Sequence, residues 1–190
     1  NPVNQFYKWF KDAIDAGLTN PDAMVVATTS KDGKPSARIL LLRNFDDEGF
    51  VFYTNYNSRK GTQLMHNPYV SLTFFWPDLE RQIRVEGLAE KQSEEESDKY
   101  FNERPTGSKL GAWASQQSNL VESRDVLEKQ FAEIQNRFQG QEIPRPEFWG
   151  GYLVKPEMYE FWQGRPNRFH DRIVYKLDKN KSWKIERLSP

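Results

Sequence analysis

Between Phe161 and Arg172 the chain reads FWQGRPNRFHDR, with three arginines (Arg165, Arg168, Arg172), one of the chain's two histidines (His170) and a single acid (Asp171). The whole sequence is balanced, 27 Lys and Arg against 27 Asp and Glu, so this excess of cations is local. Fixed positive charges crowded beside the indole of Trp162 point to an anion held among them. If the backbone is extended here, side chains two apart share a face, and Arg168, His170 and Arg172 are expected to point the same way. The competing reading is cross-strand pairing with acids such as Glu160 or Glu186.

Three other places offer related chemistry. Arg38 interrupts the apolar run SARILLL. Ser58-Arg59-Lys60-Gly61 stands where a strand pattern gives way to a helix. Free N–H groups and the helix dipole favour a phosphate there, and the two basic side chains add charge-assisted bonds. Tyr100 and Arg104 are spaced i,i+4 and so fall on one helix face. Ser108 follows a turn later, and hydroxyl, guanidinium and hydroxyl together suit one phosphate. Each has a plainer reading: an edge-strand arginine, a solvated basic pair, a surface aromatic–cation pair. Gln117-Ser118 sits in the polar loop SQQSN.

Much chemistry is excluded. With no cysteine, there is no disulfide, thiolate metal site or cysteine nucleophile, and two histidines make a zinc site improbable. No metal is expected. Neither a Walker A motif nor G-x-G-x-x-G occurs, and no Ser-His-Asp arrangement is indicated. An enzyme so poor in reactive groups borrows its chemistry from a cofactor. Zero formal charge gives no whole-molecule reason to bind nucleic acid or an anionic membrane, and no apolar run approaches a membrane span. A cytoplasmic location is expected. The sequence starts at Asn1, without a methionine or a signal-peptide pattern, and a preceding segment is expected to be missing.

The elements that must carry these residues read mainly as strands. Helical spacing of Val3, Phe6, Phe10 and Ile14 predicts a helix over Asn4–Ala16. Strands are expected at Ala23–Thr29, Ser36–Leu42, Phe50–Tyr56, Val70–Trp76 and Gln82–Ala89. Turns at Asp32-Gly33 and Asp46–Gly49 separate the first three. A short helix follows Ser58 to about His66. Ser93 with Glu96 makes a capping box that opens a helix ending near Pro105. Further helices are expected at Ser108–Ser115 and Val121–Phe138. Strands return at Tyr152–Lys155, Met158–Gln163, Arg172–Leu177 and Trp183–Arg187. The pattern predicts one mainly β domain over residues 1–190: a closed or nearly closed antiparallel barrel with helices packed outside.

Spread in order along the chain, SARILLLRNF, FYTNYNSRKG, RQIRVEG, YFNERPTGSKLGAWAS, FWGGY, EFWQGRPNRFHDR and the closing ERLSP resemble the pyridoxamine 5'-phosphate oxidase family. The resemblance implies an FMN-binding split β-barrel and a homodimer with FMN at the subunit interface. It implies oxidation of pyridoxamine and pyridoxine 5'-phosphates by O2. Carried over position by position, FMN would contact Arg38, Ile39, Leu40, Leu41, Tyr53, Thr54, Arg59, Lys60, Gln82, Gln117, Ser118, Trp162 and Arg172. The substrate would meet Arg43, Tyr100, Arg104 and Ser108 at its phosphate. Arg168, Phe169 and His170 would lie at its ring, with Arg168 and His170 as the catalytic pair. Two positions depart from the family pattern: Arg43 stands where lysine is expected, and Phe169 where leucine is usual.

Overall fold

A computed structural model describes residues 1–190. The chain runs α1 (Pro2–Asp15), β1 (Ala23–Thr29), β2 (Pro35–Leu41), β3 (Asn44–Phe45), β4 (Phe50–Asn55), α2 (Arg59–His66), β5 (Tyr69–Trp76) and β6 (Arg81–Lys91). Then come α3 (Glu94–Glu103), α4 (Thr106–Ala114), α5 (Arg124–Arg137), β7 (Trp149–Gln163), β8 (Asp171–Leu177) and β9 (Trp183–Arg187). No helix is long and apolar enough to cross a membrane.

All strand pairs are antiparallel, in the order β2-β1-β5-β6-β7-β4-β3, with β8 paired to β7 and β9 to β8. The two ends of the main path, β2 and β3, are consecutive in the chain, joined only through Leu42 and Arg43. The result is a curled, split barrel whose ends meet through the chain rather than through a ladder. β3 escaped the strand pattern because two residues carry no periodicity.

The segment expected to form two strands, Tyr152–Lys155 and Met158–Gln163, is one strand of 15 residues. Proline reads as a breaker because it has no N–H to donate. Here Pro156 sits where the outer edge of β7 changes partner. Residues 149–154 pair with β4 and residues 158–163 with β8. The other edge stays on β6 from Tyr152 to Gln163, with one register shift at Glu86/Gly87 opposite Pro156. Gly87 is required at that shift: a Cβ there would lie 2.1 Å from the Lys155 carbonyl oxygen.

Burial explains why the helices attach where they do. Nineteen residues form the main core, contributed by the inward faces of the strands, by α1, by Leu64 of α2 and by Leu42 after β2. Phe6 of α1 is fully buried, its ring 4.8 Å from Phe45, 4.8 Å from Phe50 and 5.1 Å from Phe74. Edge-to-face rings of this kind add to the burial of area alone. A second cluster of Phe101, Leu110, Ile143 and Trp149 fastens α3 and α4 over the start of β7. Ser93 caps α3, its hydroxyl accepting from the Glu96 N–H at 3.2 Å, which is the serine half of the expected capping box.

Candidate functional site

α2 begins beside the end of β4, and its first turn is pinned tightly. Ser58 caps it, accepting from the Gly61 N–H. A Cβ at Gly61 would fall 2.1 Å from the Tyr56 carbonyl oxygen, so only glycine lets the helix approach so closely. Lys60 is carried inward by this packing. Its ammonium donates to Thr54 Oγ1 at 2.9 Å, Gln117 Oε1 at 3.0 Å and Ser58 Oγ at 3.3 Å. Arg38, on β2, donates to Thr28 Oγ1 at 2.6 Å, Ser36 Oγ at 2.7 Å and the Val26 carbonyl at 3.1 Å.

All these partners are neutral. Burial, and then the nearby Arg38 charge, push the Lys60 ammonium down to about 8. Burial, followed by repulsion from Arg59, lowers Arg38 as well. Three cations thus converge, and none of them is paired with a carboxylate; Asp32, which lines the groove beside Arg59, is paired with Lys34. An anion such as a phosphate satisfies that arrangement, because it returns the favourable charge that desolvation removes. Arg59 and Ser118 line an adjoining polar groove with Gln63, whose side-chain oxygen accepts from Thr28 and Ser36.

Beside this cluster opens a cleft of about 880 Å³. Its lining includes Ile39, Leu40, Leu41, Tyr53, Thr54 and Gln117 together with Arg43, Tyr100, Arg104 and Ser108. The Tyr53 and Trp149 rings stack 5.5 Å apart, and the Arg104 guanidinium lies 4.5 Å from the Trp149 ring centre. Arg104 Nη1 is buried and without a hydrogen-bond partner. A buried orphan guanidinium nitrogen costs stability unless a ligand fills its place. Burial lowers Arg104, and the nearby Arg43 charge adds to the same effect. Burial is also the main reason Tyr53 is pushed up to about 12. Arg104 is not on α3 as its spacing implied. It is the residue just beyond, with extended backbone, and the following Pro105 enforces that conformation.

The remaining predicted residues lie elsewhere on the chain. Gln82 on β6, Trp162 on β7 and Arg172 on β8 are directly opposite one another across three strands. They therefore form one cross-strand row on the outward face. Trp149 stands at one end of β7 and Trp162 near the other, so the cleft and this row occupy opposite ends of one strand.

The expected common face of Arg168, His170 and Arg172 is not formed. Asn167 and Arg168 both have φ of 60°, in a turn over Pro166–Arg168. The period-2 relation fails because the backbone is left-handed there, not extended. Arg168 and Phe169 are exposed at the turn. His170 packs on Trp162, ring centres 4.7 Å apart, and its Nδ1 accepts from the Arg165 N–H at 3.1 Å. Arg172 pairs with Glu160 at 2.8 Å, which is the cross-strand pairing that competed with the anion reading. Asp171 accepts from Arg165 and Arg187.

Two contributors escaped the sequence reading. Trp149, which lines the cleft, fell outside the expected strands. Gln63, which accepts from Thr28 and Ser36 beside the cation cluster, looked like an ordinary helix residue. Ser58 is the cap of the helix, as expected.

A split antiparallel barrel with a phosphate-ready cation cluster beside a second cationic cleft belongs to the flavin-binding class of such barrels. Family models agree. One described as pyridoxamine 5'-phosphate oxidase matches residues 10–138, and one described as pyridoxine 5'-phosphate oxidase C-terminal dimerisation region matches residues 149–190. A pyridoxine/pyridoxamine 5'-phosphate oxidase from Rubrobacter xylanophilus is 56% identical over all of this chain and 87% of its own length. Its counterpart from Gloeothece citriformis is 55% identical over all of this chain and 89% of its own.

Among solved structures, PhzG from Burkholderia lata, in complex with tetrahydrophenazine-1-carboxylic acid, is 32% identical with a TM-score of 0.94, covering 100% of this chain and 93% of that one. An FMN-binding protein from Nostoc punctiforme shares the fold at 16% identity, with a TM-score of 0.77 over 100% of this chain and 98% of that one. The chain belongs to the pyridoxamine 5'-phosphate oxidase family: it is an FMN-dependent oxidoreductase, and it carries the family's C-terminal dimerisation region, which supports a homodimer.

Proposed function

We propose that the protein oxidises pyridoxamine 5'-phosphate and pyridoxine 5'-phosphate to pyridoxal 5'-phosphate. Dioxygen accepts the electrons and leaves as hydrogen peroxide, and the amine substrate also yields ammonia. The observation that carries this reading is the orphaned, buried Nη1 of Arg104 in a cleft shared with Arg43, Tyr100 and Ser108. A dianionic phosphate ester supplies the acceptors that this group lacks.

Bound FMN supplies the two-electron acceptor and its reoxidation by dioxygen. Everything else falls to the chain. Arg38, Arg59 and Lys60 hold the FMN phosphate, with Gln117 and Ser118 beside them. Ile39, Leu40, Leu41, Tyr53 and Thr54 make up the wall on which the flavin lies. Arg43, Tyr100, Arg104 and Ser108 hold the substrate phosphate. Two phosphates anchored at neighbouring points restrict both molecules, and restriction of this sort lowers a barrier by up to roughly 7–11 kcal/mol.

The row of Gln82, Trp162 and Arg172 belongs to the same site but is brought by the second protomer. Within one chain it stands at the far end of β7 from the cleft. β1, β2 and β5 expose Val25, Ile39 and Phe75 on their outward faces, an apolar surface that a second copy covers. Arg168 and His170 arrive with that row and close over the substrate ring. Because His170 Nδ1 accepts from the Arg165 N–H, the neutral ring carries its proton on Nε2. His170 therefore meets the substrate as a hydrogen-bond donor and orients it.

The fit to PhzG makes a cyclic carboxylate the alternative occupant of the cleft. Peroxide release in air separates the two. Release on adding pyridoxamine 5'-phosphate supports the proposal. No release with it, alongside turnover of a carboxylate substrate, refutes it.

A further inference from the structure

Glu160 is the buried carboxylate of this chain, 3% exposed, and no step of the proposed reaction uses it. It stands on the outward face of β7, directly opposite Arg84 on β6 and one diagonal step from Arg172 on β8. One of its oxygens accepts from Arg172 Nε at 2.8 Å, and the other lies 3.3 Å from Arg84 Nη2. Arg84 Nη2 also donates to Glu86 at 3.1 Å. Arg172 is fixed a second time, its Nη1 donating to the Ser189 carbonyl at 3.1 Å. The Arg172 carbonyl accepts in turn from the Leu188 N–H at 2.9 Å. Of the five N–H groups of a guanidinium, the Nη2 pair of Arg172 has no partner within the chain. Gln82 and Trp162 stand in the same cross-strand row.

We propose that Glu160 is a positioning residue for FMN: it grips Arg172 through Nε and so presents the free Nη2 edge of Arg172 to the cofactor. This rests on the assignment of Arg172 to FMN in the proposed function. A carboxylate between two arginines serves this role in two ways. It supplies a charge-assisted bond of fixed direction. It also offsets one of two like charges that would otherwise repel across a partly dry spot. Glu160 touches no reactant; its effect passes through Arg172.

The test is FMN titration of the apoprotein, followed by flavin fluorescence, for wild type, Arg172→Ala, Glu160→Gln and the double variant. The thermal midpoint and dimer state of each apoprotein are recorded alongside. KM for pyridoxamine 5'-phosphate is taken at saturating FMN. Each single substitution is expected to weaken FMN roughly tenfold or more. The double variant is expected to be no weaker than Arg172→Ala, because residues acting through one another are not additive. For Glu160→Gln, KM should stay within about twofold of wild type, since Glu160 touches no reactant and the substrate phosphate is held elsewhere.

Glu160→Gln without loss of affinity, while Arg172→Ala loses it, overturns the role of Glu160 alone. So does a full extra loss in the double variant, which would mark a purely structural residue. Unchanged affinity in Arg172→Ala overturns the assignment of Arg172, and the proposal with it. If Glu160→Gln does not fold, Arg84→Met combined with Glu160→Met removes the buried carboxylate together with its partly exposed arginine partner, so that neither charge is left without the other. Weak FMN binding in that folded variant supports the proposal, and wild-type binding overturns it.

Discussion

The rings of Tyr53 and Tyr100 stack 3.9 Å apart and 12° from parallel. This contact ties β4, which lines the proposed flavin wall, to α3, which carries part of the proposed phosphate pocket. Separating the ring of Tyr100 from its hydroxyl is therefore informative. Tyr100→Phe keeps the stack and loses one donor, so KM for pyridoxamine 5'-phosphate should rise several-fold with the melting temperature unchanged. Tyr100→Ala should also lose the stacking term, about 0.5–1.5 kcal/mol beyond area burial. Urea denaturation of the two variants checks the difference.

Arg104 is the strongest single determinant of the substrate phosphate in this account. A hydrogen bond to a charged group contributes about 1.5–3 kcal/mol, so Arg104→Ala should raise KM by roughly 10- to 150-fold. FMN content per protomer should not change. Steady-state kinetics with a flavin-to-protein ratio check both. A parallel loss of FMN would move Arg104 into the flavin site or the core.

Lys60 gives the pH dependence. Its ammonium is pushed down to about 8, so in the free protein it is charged below that pH and neutral above it. FMN affinity should therefore be high near neutrality and fall as pH rises through about 8. The contribution to folding has the opposite slope. Between about 8 and the ordinary lysine value the unfolded chain binds more protons than the folded one, so stability from this group rises with pH. FMN titrations and apoprotein melts across pH 7 to 10 should diverge in this way. Lys60→Met should flatten both trends.

Arg168 sits on a left-handed backbone in an exposed turn, away from the cation cluster. Arg168→Ala should cut turnover far more than it cuts FMN content. Equal loss of both, measured on one preparation, would make Arg168 a flavin ligand or a structural residue.

Part of the cleft was legible from local spacing. Ser58 caps α2 and brings Lys60 inward. Tyr100 on α3 and Ser108 on α4 flank Arg104, but Arg104 lies in the extended link between the two helices and not on the shared helix face that its spacing implied. β1 and β9 were readable to the residue, β1 as a short run rich in strand-forming residues. What stayed hidden depends on register and on unusual backbone. That Gln82, Trp162 and Arg172 make one row is a property of three ladders, and register between distant strands leaves no mark on any one of them. Pro156 disguised a continuous strand. The turn at Asn167 and Arg168 uses positive φ without a glycine, so an extended reading was natural and failed. Trp149 lines the cleft only because β7 begins there.

The central claim is that this barrel anchors two phosphates side by side so that FMN faces a vitamin B6 ester. Its most direct test is anaerobic addition of substrate to the FMN-loaded dimer, followed by visible absorbance of the flavin. Pyridoxamine 5'-phosphate should bleach it rapidly, and pyridoxamine without the phosphate should do so far more slowly at equal concentration. Equal bleaching by both, or none by the phosphate ester, would contradict the account.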